Sequence, residues 1–271
     1  FIETKGLDIY DRNYKSALPE HAFPRRYDPY ILGKLDPSEI DIAYKGYIYG
    51  INMNSIHQSQ TMFARRVFEM LASNTITVGN YSRGLKNYFG DLTICTDDRV
   101  TLRKQLEMYT FDKTTQRKYR LAGLRKVLSE HLYEDRLAYV VKKVFNVDLK
   151  PKRPLITVIS YIKDEQSLNK IAKFFEDQTH TNKRLVIVAD SDIHINTDKY
   201  VVFGKDEAKD IKIADLIKEG FVSVWNANDE YGKNYLLDLA LANRYGNFDA
   251  IGKATYYSMK NGDAMLCEEG N

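Results

Sequence analysis

With 271 residues, 44% of them hydrophobic and 28% charged, the chain has the composition of a folded protein with room for two domains of ordinary size. A formal net charge of +3, with the basic residues spread rather than massed in one arm, gives no footprint for nucleic acid. Cys95 and Cys267 match no zinc spacing, no apolar run nears the roughly 20 residues of a membrane span, and no signal peptide precedes Phe1, so a reducing, cytoplasmic setting is expected.

In chain order, residues 7–10 read as a strand running into Asp11-Arg12-Asn13. Residues 22–41, punctuated by Pro24, Pro29 and Pro37, read as turns and short helical pieces. The next stretch is the most informative. Residues 47–53 are aromatic and β-branched with one Gly, residues 54–60 form a polar loop, and Met62, Phe63, Val67, Met70 and Leu71 recur at helical spacing before a β-branched run at 75–78. This is a βαβ unit. Its loop opens at the carboxyl edge of a parallel sheet, where free N–H groups and the positive end of a helix favour a phosphate. A nucleotide site is therefore expected here.

After Asn80 the pattern predicts an N-capped helix over 82–89, a strand at 92–95, and a helix capped by Thr96-Asp97-Asp98 that carries Leu102, Leu106 and Tyr109. Residues 114–145 read as a long charged helical region with one apolar stripe through Leu121, Leu124, Val127, Leu128, Leu132, Leu137, Val140, Val141 and Val144. Its basic residues are read as a solvated face. Lys150-Pro151-Lys152-Arg153-Pro154 cannot continue a helix and marks a linker, giving domains 1–149 and 150–271. The 20 Tyr and 12 Phe residues supply stacking surfaces for sugars or bases, though most aromatics are core.

Arg65, Arg66, Phe68, Glu69, Leu71 and Ala72, followed by Gly84, Leu85, Tyr88 and Phe89, form a pattern that resembles the donor-binding half of spore-maturation-type glycosyltransferases. These bacterial enzymes have the GT-B fold of two facing Rossmann-like domains. Asp11-Arg12, Phe23-Pro24 and Tyr44-Lys45-Gly46-Tyr47 stand in the same order as in that family. The resemblance implies that Glu69 faces the ribose of a nucleotide sugar. It also implies that the loop 54–61, with Asn54, Ser59 and Thr61, cradles the diphosphate together with Arg65 or Arg66, and that Lys45 is a further phosphate contact. Many retaining relatives carry a second Glu where Thr61 stands, so recognition of the sugar by that carboxylate has no residue here. The alternative reading of Arg65, Arg66 and Glu69 is a solvated helix face with i,i+3 and i,i+4 pairing. A complete GT-B fold also needs an acceptor domain, to be supplied by another chain or a region outside this sequence.

The second domain opens with a β-branched run at 155–161, typical of a buried parallel strand, then a helix over 165–178 and a strand at 185–189 ending in Asp190-Ser191-Asp192. This arrangement resembles the start of a family-2, GT-A glycosyltransferase domain, which implies that Asp164 and Asp190 hold base and ribose. Residues 221–239, followed by a strand at 250–257, resemble the metal-binding region of the same enzymes. There a carboxylate cluster holds Mn or Mg against the donor's phosphates. Here the cluster reads Asn226-Ala227-Asn228-Asp229, two amides and one carboxylate, so either Asn226, Asn228 and Asp229 hold a weakly bound ion or the site is degenerate. His57, His131, His180 and His194 show no ligand spacing, and Asp263, Glu268 and Glu269 offer no convincing general base.

The expected fold is α/β, two tandem Rossmann-like units made of the C-terminal half of a GT-B fold and a partial GT-A domain. The expected function is transfer of a sugar from a UDP- or GDP-type donor to a bacterial surface glycan, spore polymer or glycoprotein. The alternative is a non-catalytic, glycosyltransferase-derived scaffold or binding subunit. No G-x-G-x-x-G follows a strand, which argues against a dinucleotide-dependent oxidoreductase.

Overall fold

The β-branched runs at 75–78 and 155–161 become strands buried on both faces, and amphipathic runs become helices that pack on them, in a computed structural model that describes residues 6–16, 18–149, 153–190, 200–216 and 219–268. The chain divides into two compact units, Phe1–Tyr133 and Glu134–Asn271. The boundary expected at 149/150 adjoins residues 150–152, which lie outside the described residues.

In the first unit β1 (Ile9–Tyr10) pairs in parallel with β2 (Ile31–Gly33). Helix α1 (Ile40–Lys45) leads into β3 (Tyr49–Asn52), which joins β4 (Ile76–Gly79) and β5 (Ile94–Cys95) in a parallel sheet of order β3-β4-β5. The crossovers are α2 (Arg66–Ala72) and α3 (Arg83–Phe89), the latter capped by the Ser82 hydroxyl, which accepts from the Leu85 N–H. Two cores form. Val67, Met70, Leu71, Leu85, Phe89 and Val127 pack in one, Ile76, Val78, Ile94, Leu106 and Tyr109 in the other.

The helix expected to begin at Met62 begins at Arg66. Ser59 Oγ accepts from the N–H groups of Thr61 and Met62, at 3.4 and 3.1 Å, and this local turn holds the first residues out of the helix. The helical region expected over 114–145 is two helices, α5 (Lys113–Glu130), which follows α4 (Arg99–Phe111), and α6 (Tyr133–Phe145), with the break at His131 and Leu132. The apolar stripe is accordingly not continuous. Val127 and Leu128 are buried, whereas Leu137, Val140 and Val144 are exposed.

In the second unit β6 (Ile156–Ile162), β7 (Lys183–Ala189), β8 (Val201–Gly204) and β9 (Phe221–Trp225) form a parallel sheet of order β8-β7-β6-β9. Helix α7 (Glu165–Glu176) is the first crossover, and α8 (Lys205–Ala208), α9 (Ile213–Leu216) and α10 (Tyr235–Ala242) follow. The winding reverses between β6 and β9, the position at which ligands bind in open α/β sheets. Ile156, Val158, Ile162, Ile171, Leu185, Ile187, Trp225 and Leu236 build the core. The single strand expected at 250–257 is a separate antiparallel hairpin of β10 (Thr255–Lys260) and β11 (Asp263–Glu268). Asn261 and Gly262, both at positive φ (55° and 89°), make its two-residue turn.

Candidate functional site

The polar loop after β3 is held by side-chain amides. Buried Asn52 donates through Nδ2 to Asn54 Oδ1 at 2.9 Å, and the Asn54 N–H donates to Asn80 Oδ1 at 2.7 Å. Asn80 Nδ2 donates back to the Asn54 carbonyl at 2.9 Å and lies 2.9 Å from His57 Nε2. The His57 carbonyl in turn accepts from the Arg83 N–H at 2.8 Å, tying the loop to the start of α3. The ends of β3 and β4 approach so closely that a Cβ on Gly79 would stand 2.2 Å from the Asn52 carbonyl oxygen. This is a braced edge, and the bracing assigns the expected residues different places. Asn54 is buried and its side chain holds Asn80, Ser59 holds its own turn, and Thr61 is exposed at the mouth of a pocket.

Glu69 sits half-buried on α2 between two partners. Arg65 Nε donates to its Oε1 at 2.8 Å, and Tyr44 OH donates to its Oε2 at 3.3 Å. Burial, then the Glu69 charge, push the Tyr44 phenol above its ordinary value, and the same carboxylate raises the Arg65 guanidinium. Arg65 is thus an i,i+4 partner of Glu69, as the alternative reading had it, and Arg66 is exposed beside it. Lys45 pairs with Asp41 at 2.8 Å on α1, which packs against α2.

A shallow, open pocket of about 380 Å³ lies at the other end of the loop. Gln60, Thr61, Asn87, Tyr88, Lys126 and His131 line it. Its floor is part of an aromatic cluster in which Phe63, Phe68, Tyr88, Phe89 and His131 meet with ring centroids 5.2–6.4 Å apart. Asn87, Lys126 and His131 carried no signal in the sequence, since they come from α3, α5 and the break that follows it.

The second unit uses its expected ligand residues within its own fold. Asp164 caps α7, accepting from the Ser167 N–H at 2.7 Å, a bond that holds its carboxyl below the usual carboxylate range. Asp190, at the end of β7, accepts from Tyr161 OH at 2.7 Å and lies 3.7 Å from Lys205 Nζ. The hydrogen bond to Asp190 raises the Tyr161 phenol, and the Asp190 charge raises the Lys205 ammonium. Asn226 Oδ1 accepts from the Asn228 N–H at 2.9 Å, and the Asn226 N–H donates to Tyr231 OH. With the Asn226 oxygen engaged, Asn228 and Asp229 bring one amide and one carboxylate to the turn. One carboxylate and an amide are within what Mg takes from protein when donor phosphates and water supply its remaining oxygens. Among the described residues no group of three or more His, Cys, Asp or Glu side chains converges on a metal position. Asp192, His194 and Glu269 lie outside the described residues.

The braced parallel edge and the Glu69 helix fall within one segment that a family model matches. Residues 12–142 match the family model described as glycosyl transferase-like. The glycosyl transferase-like segment covers just under half of the chain and contains the loop, Glu69 and the whole pocket lining. No curated protein matches the chain. No helix among the described residues is long and apolar enough to cross a membrane.

Proposed function

We propose that the chain transfers a sugar from a nucleoside-diphosphate donor to a bacterial surface glycan, spore polymer or glycoprotein, and that its first unit binds the donor. The observation that carries this reading is the glycosyl transferase-like match, which falls on the segment holding the braced loop and Glu69. Glu69 accepts ribose hydroxyls in exchange for the Tyr44 phenol. Lys45, ahead of β3, and Arg66, at the start of α2, are both exposed cations and offset the diphosphate charge as the nucleotide leaves. Asn54, Asn80 and Ser59 shape the loop rather than touch the ligand.

A second reading assigns the GT-A-like unit a binding or scaffold role instead of a second donor site. It is favoured by the engagement of Asp164, Asp190 and Asn226 in capping, pairing and turn formation. Calorimetric titration with UDP, GDP and their sugars, with and without Mn, tests both. Binding that Glu69→Gln weakens about tenfold or more, the effect of a lost charged hydrogen bond, supports the first-unit site. Mn-dependent binding abolished by Asp229→Ala would put an active donor site in the second unit and overturn the scaffold reading. No nucleotide binding in any condition would overturn the transferase.

A further inference from the structure

We propose that helix α6 lies flat on an anionic lipid bilayer and holds the chain at a membrane surface. This goes beyond the transferase reading and does not depend on it, since it follows from the exposure and charge of one helix.

The helix has the pattern of a core helix without the burial. Tyr133, Leu137, Val140 and Val144 recur at i, i+4, i+7 and i+11, a stripe that in a globular fold faces inward. Here no residue of α6 is buried, and Leu137, Val140, Val144 and Phe145 are each more than half exposed. Contiguous apolar surface of this kind marks a place where something docks. Charge selects what docks. Arg244, just after α10, pairs with Glu134 and, at 3.1 Å, with Asp135, and the Arg244 and Asp135 side chains are only 11% and 15% exposed. The acidic first turn is thereby drawn toward the protein. Arg136, Lys142 and Lys143 stay exposed, and Lys143 Nζ stands 5.6 Å from the centre of the Tyr139 ring. The sequence adds Lys150, Lys152 and Arg153 shortly after the helix, so residues 136–153 hold six basic side chains against Asp148 alone, in a chain whose net charge is +3. A basic amphipathic helix is complementary to an anionic bilayer. Its apolar side sinks about 5–10 Å into the boundary between headgroups and acyl chains, while the lysines reach back to the phosphates on flexible stems. At 13 residues α6 is short of the roughly 20 needed to cross, so it lies in the plane of the surface.

Flotation of the full chain with lipid vesicles tests this, comparing phosphatidylcholine alone with phosphatidylcholine containing phosphatidylglycerol, at low and at high salt. The expected result is binding to the phosphatidylglycerol vesicles only, weakened by salt. Lys142→Gln and Lys143→Gln should each weaken it about fivefold, the contribution of one basic side chain near an anionic surface. Val144→Asp should abolish it, because a charge replaces a side chain that enters the apolar region. All three side chains are exposed, so the variants keep the fold, which circular dichroism checks. No flotation with phosphatidylglycerol vesicles overturns the proposal, and so does equal flotation with both vesicle types. Flotation that Val144→Asp and the two lysine variants leave unchanged also overturns it and assigns the binding to another surface. Sedimentation equilibrium addresses the other occupant: a dimer that Val144→Asp breaks, without vesicle binding, gives the face to a second copy. Nucleotide binding without flotation removes the membrane surface alone, and flotation without nucleotide binding removes the donor site alone.

Discussion

Single side chains decide how the first unit's loop behaves. Asn80 makes hydrogen bonds to the backbone and side chain of Asn54, and Asn54 is buried, so Asn80→Ala strands polar groups that have no water to turn to. We expect a loss of about 1–3 kcal/mol in urea-monitored unfolding, with weaker nucleotide binding as the loop slackens. His180 acts at the same scale in the second unit. It is buried, its Nε2 lies 3.0 Å from the Pro154 carbonyl, and desolvation lowers its pKa below the ordinary value of 6.5. The unfolded chain therefore binds a proton at a pH where the folded one does not. This favours folding above the unfolded pKa, and the advantage is lost as pH falls from about 6.5 toward the folded value. His180→Gln should flatten the acid limb of a stability-versus-pH curve, whereas an unchanged limb would assign the acid sensitivity to other groups.

At the scale of elements, contacts between strand ends matter more than propensity. Gly79 lies where β4 passes the end of β3, and Gly79→Ala forces a methyl against the Asn52 carbonyl. The two strands must separate, at about 1–3 kcal/mol, and thermal unfolding of the variant measures it. Asp164 separates a structural from a ligand role. Asp164→Ala removes the α7 cap and should lower the second unit's melting temperature while nucleotide titration is unchanged. A loss of nucleotide affinity would instead return Asp164 to the donor site. The hairpin β10–β11 carries a local signal. Asn261-Gly262 between two runs of strand-forming residues is a strong short-range hairpin pattern, and it lies just beyond the strand expected at 250–257.

Across the molecule, the two units carry separate reporters. Trp225 is the chain's one tryptophan, buried and stacked on Tyr231 with centroids 4.1 Å apart at 3°. Its fluorescence follows the second unit, whereas nucleotide added as UDP or GDP should stabilise only the first. We expect the tryptophan-detected transition to shift with acid and to ignore nucleotide. A tryptophan transition raised by nucleotide would place the donor in the second unit.

The sequence by itself determined the parallel α/β character of both units, the βαβ segment around residues 47–79, the caps at Ser82 and Asp98, and the glycosyltransferase likeness of the stretch that the family match covers. These are local: periodicity, β-branching and capping act within a few residues. Only the tertiary structure decided which polar groups remain available to a ligand. Asn54, Ser59, Asp164 and Asn226 read as candidates because their side chains can bind phosphate, ribose or metal, but the same donors and acceptors satisfy nearby backbone groups once the chain folds. The pocket was invisible for the converse reason. Thr61, Asn87, Lys126 and His131 lie far apart along the chain, and only the packing of α2, α3 and α5 brings them to one aromatic floor.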